Sequence, residues 1–337
     1  MLVSVALLIA AAVAIYLSCE FFVNGIEWVG RRCSVSQSAT GSVLAAFGTA
    51  LPESVVTFVA VVFGKNASEV ELGVGAAIGG PLVLATLAYA VVGATFLIAA
   101  HKSPGVAATG LFVPATARRL MSDQQWFMGI FVVKILLGLV VFTFKPWLGL
   151  IFLLAYGLYV RQEMRRVDDV DEESSGLEPL KIRPKDTDPA VGWVLLQTGA
   201  ALTLIFLSSQ LFVRQLAIIG PASGLSPQLI ALLLSPIATE LPEILNAVIW
   251  VRQGKQNLAL ANISGAMMIQ ATIPSTLGIF FTPWLLSPAL IWAAVITMAS
   301  IMGLYVLLRR GKLTGTRLAW FGLFYLLFAA GLFKFSQ

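Results

Sequence analysis

The chain has 337 residues, 58% of them hydrophobic and only 12% charged, and its mean hydropathy is +0.89. A soluble globular protein carries about 25% charged residues, so a soluble fold is excluded and an integral membrane protein is expected. The net charge of +5 is no nucleic-acid signal, because the arginines and lysines fall in short loops, where they report topology.

A spanning helix needs about 20 predominantly apolar residues, and the sequence supplies roughly ten such runs. Residues 2–23 form the first. No Lys or Arg precedes it, against the basic start of a cleaved signal, so it is expected to be a permanent span. Glu20 and Glu27 near its inner end are expected to face water. Cys19 and Cys33 are read as unpaired thiols near a membrane face. After Arg31 and Arg32 comes the run 38–63, which carries Thr49-Ala50-Leu51-Pro52-Glu53. A polar link leads to residues 70–99, with glycines at 73, 75, 79 and 80. Residues 101–121, holding Lys102, Pro104, Pro114, Arg118 and Arg119, read as an interfacial connection. His101, in that loop, is a poor candidate for catalysis or metal binding. Residues 124–143 and 146–160 complete a first group of five spans. Lys134 interrupts the fourth span, too deep to snorkel to an interface, and is expected to find a buried structural partner.

Residues 161–189 hold Asp168, Asp169, Asp171, Glu172 and Glu173 among basic residues and prolines. They are expected to form a solvated, flexible linker. Beyond them come runs at about 191–213, 226–251, 257–282, 288–308 and 317–335, a second group of five. Trp126, Trp147, Trp193, Trp250 and Trp284 sit near span ends and read as interfacial anchors.

The two groups repeat each other. Ser36 matches Ser226 and Glu53 matches Glu243 at an offset of 190, and the Gly-rich stretch 72–79 matches 258–265 at an offset of 186. With the amino terminus outside, inward loops carry 17 basic residues and outward loops 4, Lys134 lying inside a span. The positive-inside rule therefore selects an external amino terminus and a cytoplasmic linker. Five spans per repeat force the second copy to run inverted. The expected fold is an all-α integral membrane protein of ten transmembrane helices, arranged as two inverted five-helix repeats at 1–160 and 190–337. Glu53 and Glu243 are then expected to meet near the midplane.

The chemistry of that pair is unusual for lipid. A charge at the bilayer centre costs roughly 2.5–3.5 kcal/mol even on lenient scales. Pro52 cannot donate to the carbonyl of Gly48, nor Pro242 to that of Ala238. Carboxylates beside opened carbonyls make a cation site, and calcium accepts about 6–8 oxygens in forgiving geometry. Protons compete for the same oxygens, because two carboxylates close together in low dielectric resist joint ionisation. Glu240 adds a third acid three residues before Glu243, whereas its counterpart in the first copy is Ala50.

Thr49-Ala50-Leu51-Pro52-Glu53 and Thr239-Glu240-Leu241-Pro242-Glu243, each followed by a Gly-rich span, resemble the alpha repeats of the cation/calcium exchanger superfamily. The resemblance covers nearly the whole chain. It implies that Glu53 and Glu243 ligate the transported metal, helped by the carbonyls of Thr49 and Thr239. That superfamily usually adds a Gly-Ser-Asn turn in the third and eighth spans, with an Asn or Asp three residues later. Here those stretches read Gly79-Gly80-Pro81-Leu82-Val83-Leu84 and Gly265-Ala266-Met267-Met268-Ile269-Gln270. Side chains that help form flanking sodium sites are therefore absent, with Gln270 the remaining polar group and Glu240 a partial replacement.

The expected function is secondary antiport of a divalent cation, Ca2+, against H+ or Na+ by alternating access in the cell (inner) membrane. The alternatives are a sodium/calcium exchanger with modified sodium sites and, behind it, a cation channel, which would need a continuous pore. No Ser-His nucleophile pair or His-rich metal motif supports an enzyme. The expected partners are the lipid bilayer and inorganic cations, with no resident cofactor; the sequence names no protein partner.

Overall fold

The computed structural model describes residues 2–36, 39–63, 67–102, 114–165, 177–222 and 233–335. The side chains of 51–53, 55–56, 59–60, 67–72, 102, 114–116, 216–217, 220–222, 235 and 333–335 lie outside that description. Among the described residues every regular element is helical. In chain order they are α1 (Leu2–Arg32), a π-helical turn (Thr40–Ala45), α2 (Ala46–Phe63), α3 (Ala67–Val83), a second π-helical turn (Leu84–Ala88) and α4 (Tyr89–Lys102). Next come α5 (Pro114–Leu137), a 3-10 turn (Lys145–Leu148), α6 (Gly149–Arg165), α7 (Val191–Ala222), α8 (Ser235–Thr239) and α9 (Leu241–Arg252). The chain closes with α10 (Gln256–Phe281), α11 (Pro288–Arg309), α12 (Gly315–Ala319) and α13 (Gly322–Phe335).

Among the described residues seven helices are long and apolar enough to cross a membrane. The remaining expected runs, the second, fifth and seventh, are helical but interrupted or shorter. The seventh divides into α8 and the 12-residue α9, and α6 has 17 residues ending among Arg161, Glu163 and Arg165. The molecule is therefore a multi-pass membrane protein whose described elements are all helical. Its exposed apolar side chains, such as Leu2, Ile9, Val13 and Leu17 on α1, form the surface that meets lipid, while Ala11, Ile15, Cys19 and Phe22 face inward.

The centre of the molecule is α10, buried along nearly its whole length and packed against α2, α3, α5, α6 and α9. Small residues make this possible. A Cβ on Gly41 would lie 2.9 Å from the Leu258 carbonyl, so only glycine lets the first π-helical turn approach the α10 backbone so closely. The second π-helical turn leaves carbonyls that an α-helix would have engaged; Ser300 of α11 donates to the Ala85 carbonyl at 2.6 Å. The most extensive helix pair is α1 with α7.

Buried polar groups tie these helices together. Lys134 is completely buried and donates to the Ala77 carbonyl at 2.8 Å and to Ser275 Oγ at 3.2 Å, with the Phe131 ring 4.7 Å from its Nζ. The expected buried partner is thus hydrogen-bonded backbone and hydroxyl. Arg119 and Glu163 pair at 2.5 Å, and Ser42 donates to the same carboxylate at 3.3 Å. On the opposite side, Lys145 caps the carbonyls of Val140, Pro283 and Trp284.

Several expectations need correction. Pro114 starts α5, so residues 114–121 belong to a helix, and His101 lies in the last turn of α4; proline is well suited to a first helical position. Cys19 lies in the core and donates to the Pro242 carbonyl at 3.8 Å, whereas Cys33 is exposed. Glu27 does not face water. It accepts from Trp250 Nε1 at 2.8 Å and pairs with Lys255 at 2.5 Å. Trp250 and Trp284 are fully buried, because each indole N–H finds an acceptor inside: Glu27 for Trp250, the Lys134 carbonyl for Trp284. Trp126 is half-buried, and Trp147 and Trp193 remain exposed.

The linker is corrected in part. Its acidic cluster, Asp168 to Glu173, lies outside the described residues. Residues 177–190, however, form a strap held against α1 and α7. Trp28 Nε1 donates to the Glu178 carbonyl at 3.0 Å, Lys181 N to Asn24 Oδ1 at 3.0 Å, and Ile182 N to Gln197 Oε1 at 3.0 Å. Leu180 is buried between Trp28 and Val194, and Arg32 pairs with Asp188 at 2.6 Å.

Candidate functional site

The two Leu-Pro-Glu stretches fold differently. In the first, the π-helical turn precedes α2, and α2 runs unbroken through Pro52 and Glu53. Thr49 is buried and its hydroxyl donates back to the Ala45 carbonyl at 3.1 Å, as Ser54 does to Ala50. The side chain of Glu53 lies outside the described residues, so its meeting with Glu243 is not given by the geometry.

In the second, α8 stops at Thr239, and Glu240 adopts φ −85°, ψ 0° before α9 begins at Leu241. Pro242 then occupies the first turn of α9, where its missing N–H removes no hydrogen bond within α9. Glu243 sits in the same turn, where the helix dipole favours a carboxylate. The Thr239 hydroxyl donates to the Pro236 carbonyl at 3.1 Å. Glu240 and Glu243 are 0% and 1% exposed.

Gln270 of α10 donates through Nε2 to Glu240 Oε1 at 2.5 Å, so two sequence-selected residues 30 positions apart come together. Gly80 of α3 closes the other side: a Cβ there would lie 2.8 Å from Glu240 Oε1. Gly79 packs the same way on Pro236, which a Cβ would approach to 2.7 Å. The paired glycines that stand where a Gly-Ser turn was expected therefore make room for the acid of the opposite half.

Two side chains not singled out in the sequence belong to this region. Asn262 of α10 donates to the Glu243 carbonyl at 3.4 Å, and Asn246 lies one turn beyond Glu243 on α9; both are completely buried. The signal for Asn246 was present, since Glu243 and Asn246 share a helix face at i, i+3 within an otherwise apolar run. Further along α10, Ser264 joins Tyr89 and Gln124 in a buried network at 3.1–3.2 Å. Among the described residues no three His, Cys, Asp or Glu side chains converge as a metal-ligand group. The described oxygen donors are two carboxylates supplemented by carboxamides and opened backbone.

The family model described as Sodium/calcium exchanger protein matches residues 3–161 and 193–334. The chain belongs to that family. It is 26% identical over 330 residues to "Putative antiporter CaxA" of Alkalimonas amylolytica, covering 93% of this chain and 92% of that protein. It is 26% identical over 292 residues to inner membrane protein YrbG of Escherichia coli (strain K12), covering 86% and 83%. Among solved structures, the sodium-calcium exchanger NCX_Mj soaked with zero Na+ and Ca2+ superposes with a TM-score of 0.74 over 98% of this chain and 99% of that one, at 18% identity. The form soaked with 10 mM Na+ and 10 mM Sr2+ gives a TM-score of 0.74 at 17% identity, covering 98% of each chain. At such identities the likeness is one of fold. This member of the sodium/calcium exchanger family is thus a multi-pass antiporter, and the family's work is transport of inorganic cations across lipid.

Proposed function

We propose that the chain exchanges a divalent cation, Ca2+, against H+ or Na+ by alternating access, and that Glu53 and Glu243 are the metal ligands. Thr49 and Thr239 supply carbonyl oxygens, while Glu240 and Gln270 complete the second-copy side. One observation carries this reading: two buried acids, Glu240 and Glu243, stand at a helix break with Gln270 bound to one of them. Buried carboxylates in a membrane protein need a compensating positive charge or proton. A site emptied of both would be costly to carry across, which is the basis of an exchange rule.

The wider arrangement is ten spans in two inverted repeats, 1–160 and 190–337, joined by the linker 161–189. In it α1 corresponds to α7, the first π-helical turn with α2 to α8 with α9, and α3 with α4 to α10. Likewise α5 corresponds to α11, and α6 to α12 with α13. Cross-packing supports it: α3 of the first half rests on Pro236 and Glu240, and Gly265 of α10 rests on Ser42 of the first half. The excess of basic residues in the inward loops supports an external amino terminus and a cytoplasmic linker, and the name of the Escherichia coli relative supports an inner-membrane location.

Ion flux into proteoliposomes tests the proposal, with calcium, sodium and pH gradients imposed one at a time. Calcium uptake driven by either monovalent gradient, and lost in both Glu53→Gln and Glu243→Gln, is the expected result. Calcium-independent behaviour, or full activity in those variants, overturns it.

A further inference from the structure

Two of the last helices, α11 and α13, are joined at one end and part at the other. Where they join, Trp292 Nε1 donates to the Phe328 carbonyl at 3.2 Å, and the same indole fills the space that a side chain on Gly331 would need. About three turns further along α11 the contact opens. Gly303 offers no side chain there, and a Cβ on it would meet nothing nearer than Phe321 Cζ at 4.0 Å. The gap is a groove of about 460 Å³, lined by Met302, Gly303, Val306, Trp320, Phe324 and the guanidinium-bearing Arg317. Its walls are apolar and open to the lipid-facing surface, with Met302 and Trp320 exposed. Positive charge gathers beside it. Arg309 and Arg310 end α11, Lys312 follows in the turn, and Arg317 lies in α12. Residues 244–337 contain no Asp or Glu, and among the described residues none of these four bases pairs with a carboxylate. Arg317 is also held in place: its guanidinium donates to the Lys312 carbonyl, and its backbone N–H to Thr314 Oγ1 at 3.2 Å.

We propose that this groove binds an anionic phospholipid, with one acyl chain lying between α11 and α13 and the phosphate on Arg317 and the basic turn. The two halves of the groove ask for the two halves of such a molecule. Apolar walls without polar partners suit a hydrocarbon chain, while a guanidinium pairs with phosphate oxygens through two parallel hydrogen bonds. Basic pockets between spans at the cytoplasmic surface match anionic headgroups, and Trp320 has the amphipathic ring that settles at headgroup level. A second copy of the chain fits less well. Copies in one membrane share an orientation, so a two-fold contact here sets basic turn beside basic turn with no acid to offset them. The bound lipid also has something to brace. α12 lies against α4, where a Cβ on Gly315 would come within 2.8 Å of the Phe96 ring. A lipid held by Arg317 and Trp320 therefore fastens α12 from the other side, and its expected effect is on stability. No ion of the exchange reading enters this inference.

The test uses the purified full-length protein in a neutral detergent, titrated with phosphatidylglycerol, phosphatidylcholine or glycerol phosphate. The unfolding temperature is the readout, and native mass spectrometry identifies the lipid retained. Phosphatidylglycerol should half-saturate at a concentration about tenfold lower than phosphatidylcholine, and glycerol phosphate, which lacks chains, should have no effect. Gly303→Phe fills the groove without changing charge and should raise the phosphatidylglycerol concentration needed by about tenfold or more. Arg317→Gln should remove the preference for phosphatidylglycerol while leaving the weaker response to phosphatidylcholine. Arg309→Gln combined with Arg310→Gln should reduce the same preference and serves if the Arg317 variant fails to fold. Arg252→Gln, at the end of α9, is the control and should keep the preference. Equal responses to the two lipids, or an unchanged response in Gly303→Phe, overturn the proposal. So does an equal loss in Arg252→Gln, because diffuse surface charge then explains the preference, and so does stabilisation by glycerol phosphate alone. A parent that is dimeric and becomes monomeric in Gly303→Phe assigns the groove to a second copy and overturns it as well. Loss of calcium flux in the acid variants bears on the exchange reading alone, so the two can fail separately.

Discussion

The same three letters, Leu-Pro-Glu, produce two different backbones in this chain. At residues 51–53 they lie inside a continuous helix whose irregularity has been moved upstream, into the π-helical turn Thr40–Ala45. At residues 241–243 they open a new helix after a break at Glu240. A proline within a helix interior costs about 3 kcal/mol or more, whereas one in a first turn costs little. The difference therefore comes from what precedes the proline. Ala50 stands where the first helix continues, while Glu240, hydrogen-bonded to Gln270 on α10, stands at the interruption of the second.

Breaking the comparison altogether needs the acids themselves. Glu243→Gln and Glu53→Gln should each lower calcium flux in proteoliposomes by about a hundredfold or more, the loss of one ligand charge in a buried site corresponding to about 3–5 kcal/mol. Equal losses would make the two copies chemically equivalent despite their different backbones.

A gentler change makes the second copy like the first. Glu240→Ala removes both the third acid and the Gln270 contact and should weaken calcium binding by about tenfold, roughly 1.4 kcal/mol, measured by isothermal titration. Glu240→Gln keeps a partner for Gln270 and should recover part of that loss. Gly80→Ala tests the same contact from α3. Its methyl carbon would collide with Gln270 Oε1 and stand 2.8 Å from Glu240 Oε1, so the Gln270–Glu240 pair must shift, and a loss of about threefold to tenfold in calcium affinity is expected.

The smallest effect concerns the far end of α9. Glu27→Gln retains an acceptor for Trp250 but ends the ion pair with Lys255, whose side chain is 22% exposed. After screening by solvent this should cost about 1 kcal/mol or less, read as a small drop in unfolding temperature with little change in calcium affinity. A large change in affinity would tie this end of α1 to the ion site.

Much of the fold is legible in the sequence because lipid allows few solutions. Each apolar run had to satisfy its own backbone, so helices and their order follow from composition and punctuation. Glu240 could be nominated because an acid in such a run is expensive, and Gln270 because it stands where the family resemblance puts a polar side chain. What escaped detection depends on pairing between distant residues. Glu27 reads as a solvated acid until Lys255 and Trp250 are seen beside it, and the tryptophans 250 and 284 read as anchors until their buried acceptors are known. The residues 177–190 look like a tether because their composition is polar, yet Leu180 and a row of backbone groups meet the side chains of Asn24, Trp28 and Gln197. Asn246 and Asn262 carry no motif; only their burial beside Glu243 distinguishes them from any other carboxamide.

The strap bears on how much of the molecule depends on being one polypeptide. It continues directly into α7 yet is bound by α1, through Asn24, Trp28 and Arg32, so each half carries a recognition element for the other. Peptide-bond continuity between Arg165 and Leu177 is then expected to be dispensable for assembly. Two fragments co-expressed with a cut in that interval should co-purify as a stoichiometric pair, and Asn24→Ala together with Trp28→Phe should weaken that pairing while the uncut protein tolerates the same substitutions.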